Sequence, residues 1–264
     1  MKKIFLFLAF VMTVSVANAW VSRGEEGIVI LATKHMTPQT KSMFETYLGT
    51  TYGDDIQHLY TLEKQGTATH TKEIHYVHLD ANLQPANVEG DDALKALEAS
   101  IEIIGNHTSY DKEEVVKALR TVINLMCDIH TMSCFRIEGV AHSQEDFRFY
   151  RRRRDYGEDR KEKVPLKWEQ LWNAHFGLRH KGFSPEFYAE DMGLYFADKF
   201  ATYSQGTLRD WVVENGAKSA SYLARFTPEC LISCLAYNEL EDVNYDMMGR
   251  ASCRLAALLN ETIK

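Results

Sequence analysis

Apolar residues recur every three or four positions along most of the chain, which is the spacing of helices with one buried face. The segment 91–106 shows the pattern clearly, with one face formed by Leu94, Leu97, Ile101 and Ile104. A longer helix is expected from the capping residue Asp111 to about Met132. Strand-like alternation is scarce by comparison. The pattern therefore predicts an all-α fold in one multi-helix domain.

Capping residues give the other helix boundaries. Thr37 and Pro38 form an N-cap and first-turn pair, and Gly49 provides a stop. Ser184 and Pro185 repeat the start signal. The remaining predicted helices cover 25–34, 168–176, 208–225 and 243–263. Two segments are less regular: 53–86 combines loop with short helix, and 143–164 is highly charged and either exposed or hairpin-like.

The first nineteen residues are expected to be a signal peptide. Two lysines are followed by a short apolar stretch, 4–16, and by Ala17-Asn18-Ala19, an A-x-A cleavage signal. Cleavage would leave a domain of residues 20–264 that begins with Trp20 and is secreted or periplasmic. No later apolar run is long enough to span a membrane, so no stable membrane insertion is expected. The oligomeric state is left open.

Composition and charge narrow the function classes. The chain has 264 residues, 45% of them hydrophobic and 25% charged, which is typical of a globular protein. Loss of the two leader lysines would change the net charge from −7 to −9, which excludes a broadly basic nucleic-acid-binding surface. The run Arg151–Arg154 lies among acidic residues, which favours a solvated, self-paired loop over a phosphate contact. The five cysteines are interpreted mainly as small buried side chains.

Several chemically capable residues occur in a recognisable order. Trp20 is followed by Asp54, His75 and an Asp128 in an apolar helix, then by L-K-W-E-Q-L-W-N at 166–173 and R-A-S-C-R-L-A-A-L-L-N at 250–260. This order resembles the secreted zinc-dependent single-strand nucleases of the S-one/P-one type, which are helical relatives of zinc phospholipase C. The resemblance extends from Trp20 to Ile263.

The resemblance implies metal-dependent hydrolysis of phosphodiesters in single-stranded nucleic acid or nucleotides. In that family three zinc ions activate a hydroxide and stabilise charge on the phosphate. Carried over to this chain, Asp128 would bridge two metals, and Asp54 and His75 would complete the hydroxide-bearing site. The amine and carbonyl of Trp20 would also bind metal. Tyr76 would lie where a base of the substrate could stack.

Five of the nine ligand positions implied by the family depart from its motifs. Histidines of the family are replaced by Glu25, Asn124, Cys134 and Glu169, and an aspartate by Asn173. Carboxylates and thiolates bind zinc, whereas an amide oxygen is a weak ligand. The metal pair at Asp128 could therefore survive in altered form, and the third ion would be lost. Reduced activity is expected.

The metal and the function each have an alternative. Glu25, Asp54, Asp128 and Glu169 would place four carboxylates near one pocket, which favours oxygen-preferring calcium, magnesium or manganese over zinc. An empty, reshaped pocket would make the chain an inactive family member that binds a ligand or protein. The less specific interpretations are a structural role for His75 and core packing for Tyr76. His70, His78 and His130 are not expected to be ligands.

Overall fold

The structure is mostly helical, which confirms the all-α prediction. It is a computed structural model that describes residues 22–49, 72–140, 148–155, 158–172 and 182–264. The predicted signal peptide and Trp20, Asp54, His70 and Asn173 lie outside these residues.

Helices and strands are labelled in chain order. The helices are α1 (Ser22–Lys34), α2 (Pro38–Leu48), α3 (Ala93–Gly105), α4 (Lys112–Asp128), α5 (Trp168–Gln170), α6 (Pro185–Tyr195), α7 (Phe200–Tyr203), α8 (Leu208–Leu223) and α9 (Cys234–Thr262). Short 3-10 turns occur at Lys72–His75 and His107–Ser109. The strands are β1 (Val77–Leu79), β2 (Phe135–Ile137), β3 (Arg148–Asp155) and β4 (Glu158–Lys167).

Capping chemistry sets the ends of several helices. The Thr37 hydroxyl accepts a hydrogen bond from the Thr40 amide at 3.2 Å, and Gly49 ends α2 in the left-handed conformation with φ of 70°. Asp111 and Glu114 form a reciprocal capping box at the start of α4. These contacts satisfy amide and carbonyl groups that a helix end leaves without partners.

Asn260, near the end of α9, joins the last helix to the first two. Its Oδ1 atom accepts hydrogen bonds from the Thr37 amide at 2.8 Å and the Thr40 hydroxyl at 2.9 Å. Its Nδ2 atom donates to the carbonyl of His35 at 2.9 Å. One amide side chain therefore fixes the connection between α1 and α2.

The structure corrects three sequence predictions and adds one pair of strands. α4 ends at Asp128 instead of Met132, and α9 begins at Cys234 instead of Val243, because Ser233 caps it there. The charged segment predicted as exposed or hairpin-like is an antiparallel hairpin of β3 and β4, so Arg151–Arg154 lies in a strand and not in a loop. β1 and β2, which pair in parallel, were not predicted.

The core consists of two apolar clusters that share α9. One gathers α3, α4, β1 and β2 around Leu255 and Leu259. The other gathers α1, α5 and α6 around Leu240 and Met247. α9 is 29 residues long, yet no helix among the described residues is long and apolar enough to cross a membrane.

Gly249 lets α9 approach the aromatic ring of Phe196. A methyl group at position 249 would lie 2.5 Å from two ring carbons, and Phe196 is itself buried. We expect Gly249→Ala to lower the free energy of unfolding by about 1–3 kcal/mol. Denaturant unfolding measures the loss. Gly105→Ala is the control, because its new methyl would meet Thr262 only at an ordinary 3.7 Å; equal effects of the two variants would contradict the prediction.

Candidate functional site

His75 and Asp128 form a buried pair at the centre of the predicted site. The 3-10 turn that precedes β1 ends at His75, and Asp128 is the last residue of α4. The His75 Nδ1 atom lies 2.7 Å from the Asp128 Oδ2 atom. Only 7% of His75 and 1% of Asp128 is exposed. The structure thus brings together two predicted ligands that lie far apart in the sequence.

This contact fixes which nitrogen of the imidazole ring donates. A carboxylate accepts hydrogen bonds, so Nδ1 donates to Asp128, and in the neutral ring Nε2 carries the lone pair. A histidine held in this way by a carboxylate is oriented to bind a metal through its other nitrogen. Asp128 would then orient His75 with one oxygen, and its second oxygen is a candidate ligand.

Cys134 and Glu169 lie within electrostatic range of this pair. Burial, followed by the negative charges of Asp128 and Glu169, raises the pKa of the Cys134 thiol well above its ordinary value. Cys134 is buried, whereas Glu169 on α5 is half-buried. The Val77 amide donates to the Cys134 carbonyl at 2.9 Å, which joins the strand after His75 to the turn after Asp128. A neutral thiol is a poor nucleophile, so the arrangement does not support cysteine catalysis.

The other predicted ligand positions are placed as follows. Glu25 is 1% exposed in the first turn of α1, and Asn124 is buried on α4 one turn before Asp128. Trp20, Asp54 and Asn173 fall in the parts of the chain that are not described. Within residues 22–49, 72–140, 148–155, 158–172 and 182–264, no three His, Cys, Asp or Glu side chains form a group that could hold a metal ion.

Tyr76 lies in the core beside the pair. It is 2% exposed, and the Arg136 guanidinium stacks over its ring, 3.6 Å from the centroid. A base that stacked on this ring face would have to displace Arg136. The placement of Tyr76 therefore agrees with the core-packing alternative.

Two of the histidines that were not expected to be metal ligands form hydrogen bonds with other groups. The His78 Nδ1 atom lies 3.0 Å from the Asp92 Oδ2 atom, and Asp92 caps α3. His130 is fully buried and donates from Nδ1 to the Met126 carbonyl at 2.7 Å. Its Nε2 atom accepts from Arg254 Nη1 at 3.3 Å.

Arg254 on α9 is the centre of a buried polar network that was not predicted. It is 2% exposed and donates to the Tyr203 carbonyl at 3.0 Å, to His130, and to the Glu214 carboxylate. Burial by itself raises the pKa of Glu214, but the hydrogen bonds and charges of Arg254 and Lys218 lower it to about 2. The only sequence signal for this network was the position of Arg254 in the C-terminal motif.

The buried state of His130 predicts a pH dependence of stability. Burial, followed by the charge of Arg254, lowers the pKa of His130 well below its ordinary value of 6.5. Below pH 6.5 the unfolded chain therefore binds a proton that the folded chain does not, and acid favours unfolding. We expect the free energy of unfolding to fall by up to about 1.4 kcal/mol per pH unit below pH 6.5. Denaturant unfolding between pH 7 and pH 5 measures this slope. If His130→Gln showed the same slope as the wild type, the assignment of the pH dependence to His130 would be contradicted.

The cysteines are only partly the buried side chains that were expected. Cys127, Cys134 and Cys253 are buried, whereas Cys230 is half-buried and Cys234 is exposed. All five lie within the described residues, and none of them forms a disulfide. The expectation is therefore wrong for the last two.

An open cleft of about 520 Å³ lies elsewhere, between α2, the 3-10 turn at His107–Ser109 and the residues after α9. Its lining contains Tyr47, His107 and Lys264. It contains none of the predicted ligands and is therefore not the candidate site.

The chain matches no family model, and no curated protein matches it.

Proposed function

We propose that this chain is a secreted or periplasmic metal-dependent phosphodiesterase of the S-one/P-one nuclease type. Its substrate would be single-stranded nucleic acid or a nucleotide. The observation that carries the proposal is the buried contact of 2.7 Å between His75 and Asp128. A buried imidazole and carboxylate are the donor types that zinc prefers, and Cys134 and Glu169 add a thiol and a second carboxylate nearby.

In this proposal His75 and Asp128 would hold the metal, and by the family resemblance Trp20, Asp54 and Glu25 would complete its ligand set. A bound metal would supply an activated water and neutralise charge on the phosphate. Asp128 keeps the His75 ring in one orientation through the contact with Nδ1. The apolar core around the pair excludes bulk water, which strengthens the attraction between the pair and a cation.

The identity of the metal follows from the donors that take part. Zinc is favoured if His75 and Cys134 both bind, because zinc accepts nitrogen and sulfur ligands. Calcium, magnesium or manganese is favoured if the carboxylates Glu25, Asp54, Asp128 and Glu169 dominate. Competition between zinc and calcium separates these cases, since tighter zinc binding would contradict the oxygen-ligand alternative.

The test is metal content and cleavage, measured on one sample that begins at Trp20 and has never met a chelator. Elemental analysis should find one or two ions per chain, and single-stranded DNA should be cleaved. Removal of the metal by a chelator should stop cleavage, and adding the metal back should restore it. A folded protein with neither metal nor cleavage would contradict the proposal.

A second candidate is an inactive family member that uses the helical scaffold to bind a ligand or protein. One observation favours it: Arg136 covers the ring of Tyr76, where a substrate base would stack. The same sample tests this candidate, which expects no bound metal and no cleavage from a folded chain.

A further inference from the structure

Arg120 on α4 has a buried donor atom that no described residue satisfies. Its Nε atom is enclosed by the protein, and no acceptor in the described part of the chain lies within hydrogen-bond distance of it. The residue as a whole is half-buried, so solvent reaches part of the side chain. A buried donor of this kind costs free energy unless a bound group accepts its hydrogen.

The positive charge of Arg120 also lacks a carboxylate partner among the described residues. The positions one turn away on α4 hold no acid, being Val116, Lys117, Ile123 and Asn124. Four other arginines each contact a carboxylate: Arg209, Arg225, Arg250 and Arg254. Burial lowers the pKa of Arg120, which is the effect of surroundings that disfavour a positive charge. An anion would remove both costs, because it supplies negative charge and acceptor atoms.

Arg120 lies on the helix that carries the candidate site. Arg120, Asn124 and Asp128 follow one another at intervals of one turn along α4. Asp128 contacts His75, and the two turns back to Arg120 correspond to about 12 Å along the helix axis. An anion at Arg120 is therefore separate from a group bound at the pair, but an extended polyanion spans both places.

We propose that Arg120 binds a phosphate of single-stranded nucleic acid that flanks the phosphodiester held at His75 and Asp128. This inference rests on the proposed function, which names the polyanion. The planar guanidinium binds two phosphate oxygens through parallel hydrogen bonds. Because the contact is remote from the reacting group, it adds the same affinity to the ground state and the transition state.

The first test is the binding of a ten-nucleotide phosphorothioate oligothymidylate, which resists cleavage and keeps the charge of each linkage. We expect Arg120→Gln to raise its dissociation constant by about 10-fold or more, because a hydrogen bond between charged groups is lost. The slope of log affinity against log salt should become shallower by about 0.7, the value for one phosphate of a single strand. Arg120→Lys keeps the charge without the planar fork, so it should keep the wild-type slope and bind with intermediate affinity.

Cleavage kinetics distinguish a flanking contact from one at the reacting group. For Arg120→Gln, KM for the unmodified ten-nucleotide strand should rise while kcat stays that of the wild type. The dinucleotide TpT has a single phosphate, the one that is cleaved, so its kcat/KM should not change. A fall in kcat on both substrates would overturn the flanking role.

Lys117→Gln is the matched control. Lys117 is an exposed cation one turn before Arg120 on the same helix, so this variant makes the same change in net charge. Its affinity and salt slope should remain close to those of the wild type. Equal weakening in both variants would show a general effect of charge and overturn the inference. Since Arg120 makes no ion pair with a described residue, Arg120→Gln should unfold at no lower denaturant concentration than the wild type.

The outcomes separate the two proposals. Wild-type protein that neither binds the oligothymidylate nor cleaves DNA overturns the proposed function and this inference with it. Wild-type protein that cleaves DNA, with an Arg120→Gln variant that behaves as Lys117→Gln does, overturns the contact of Arg120 alone.

Discussion

Asp128→Asn should abolish DNA cleavage and metal binding while leaving the protein folded. Asparagine has nearly the same shape, but it removes the negative charge that attracts a cation and replaces one carboxylate oxygen with a donor that no metal binds. It also removes the carboxylate that orients His75 at 2.7 Å. We expect kcat/KM on single-stranded DNA to fall by at least about 100-fold, the upper range for loss of a ligand's supporting group alone.

Asp92→Asn is the control for this prediction. Asp92 is also a buried aspartate that contacts a histidine, with its Oδ2 atom 3.0 Å from the His78 Nδ1 atom. Its function is to cap α3, and asparagine caps a helix as well as aspartate does. Cleavage by this variant should remain close to that of the wild type. A comparable loss in both variants would show that burial of an aspartate, and not its place in the site, determines the effect.

Arg254→Met should cause the largest loss of stability. Methionine fills a similar volume, but four acceptors lose their donor: the Tyr203 carbonyl, His130, Asn215 and the Glu214 carboxylate. Each buried acceptor that is left without its donor costs about 1–3 kcal/mol, because it remains out of water. Glu214 still contacts Lys218 and Arg250, each at 3.0 Å, so the loss should come mainly from the fully buried acceptors. Denaturant unfolding at pH 7.5 measures it.

Arg209→Met is the matched surface substitution. Arg209 also pairs with a glutamate, Glu98 at 2.7 Å, but the side chains are 61% and 39% exposed. Solvent screens such a pair, and the expected loss is about 0–1 kcal/mol. If Arg254→Met cost no more than Arg209→Met, the buried network would be unimportant for stability.

Local sequence signals predicted the helices well. Thr37, Asp111 and Ser184 cap helices where expected, because an N-cap acts through residues three positions away. The start of α9 at Cys234 was predicted too late in the chain, since the first turns of this helix are partly exposed and lack a regular apolar face. β1 and β2 could not be found from local pattern because each has three residues and they pair across more than fifty positions.

The candidate site was less accessible to sequence reasoning. The order of motifs pointed to His75 and Asp128, and the structure brings these two side chains into contact. The burial of Tyr76 under Arg136 depends on the pairing of β1 with β2, so no local pattern could predict it. Asn215 and Ser219 on α8 lacked a signal for the same reason, because each binds a backbone carbonyl in the turn after α4. Arg254 had only its position in the C-terminal motif.

The contacts of Asn260 make folding near the start of the chain depend on a residue near its end. The acceptor for the Thr37 amide lies 223 residues downstream, and ribosomes add about 5–20 residues per second. Roughly 10 to 45 seconds therefore pass between the synthesis of the connection between α1 and α2 and the synthesis of Asn260, which binds it. The first two helices reach their final arrangement only after the last helix has been translated, so premature release of the chain leaves its beginning unfinished.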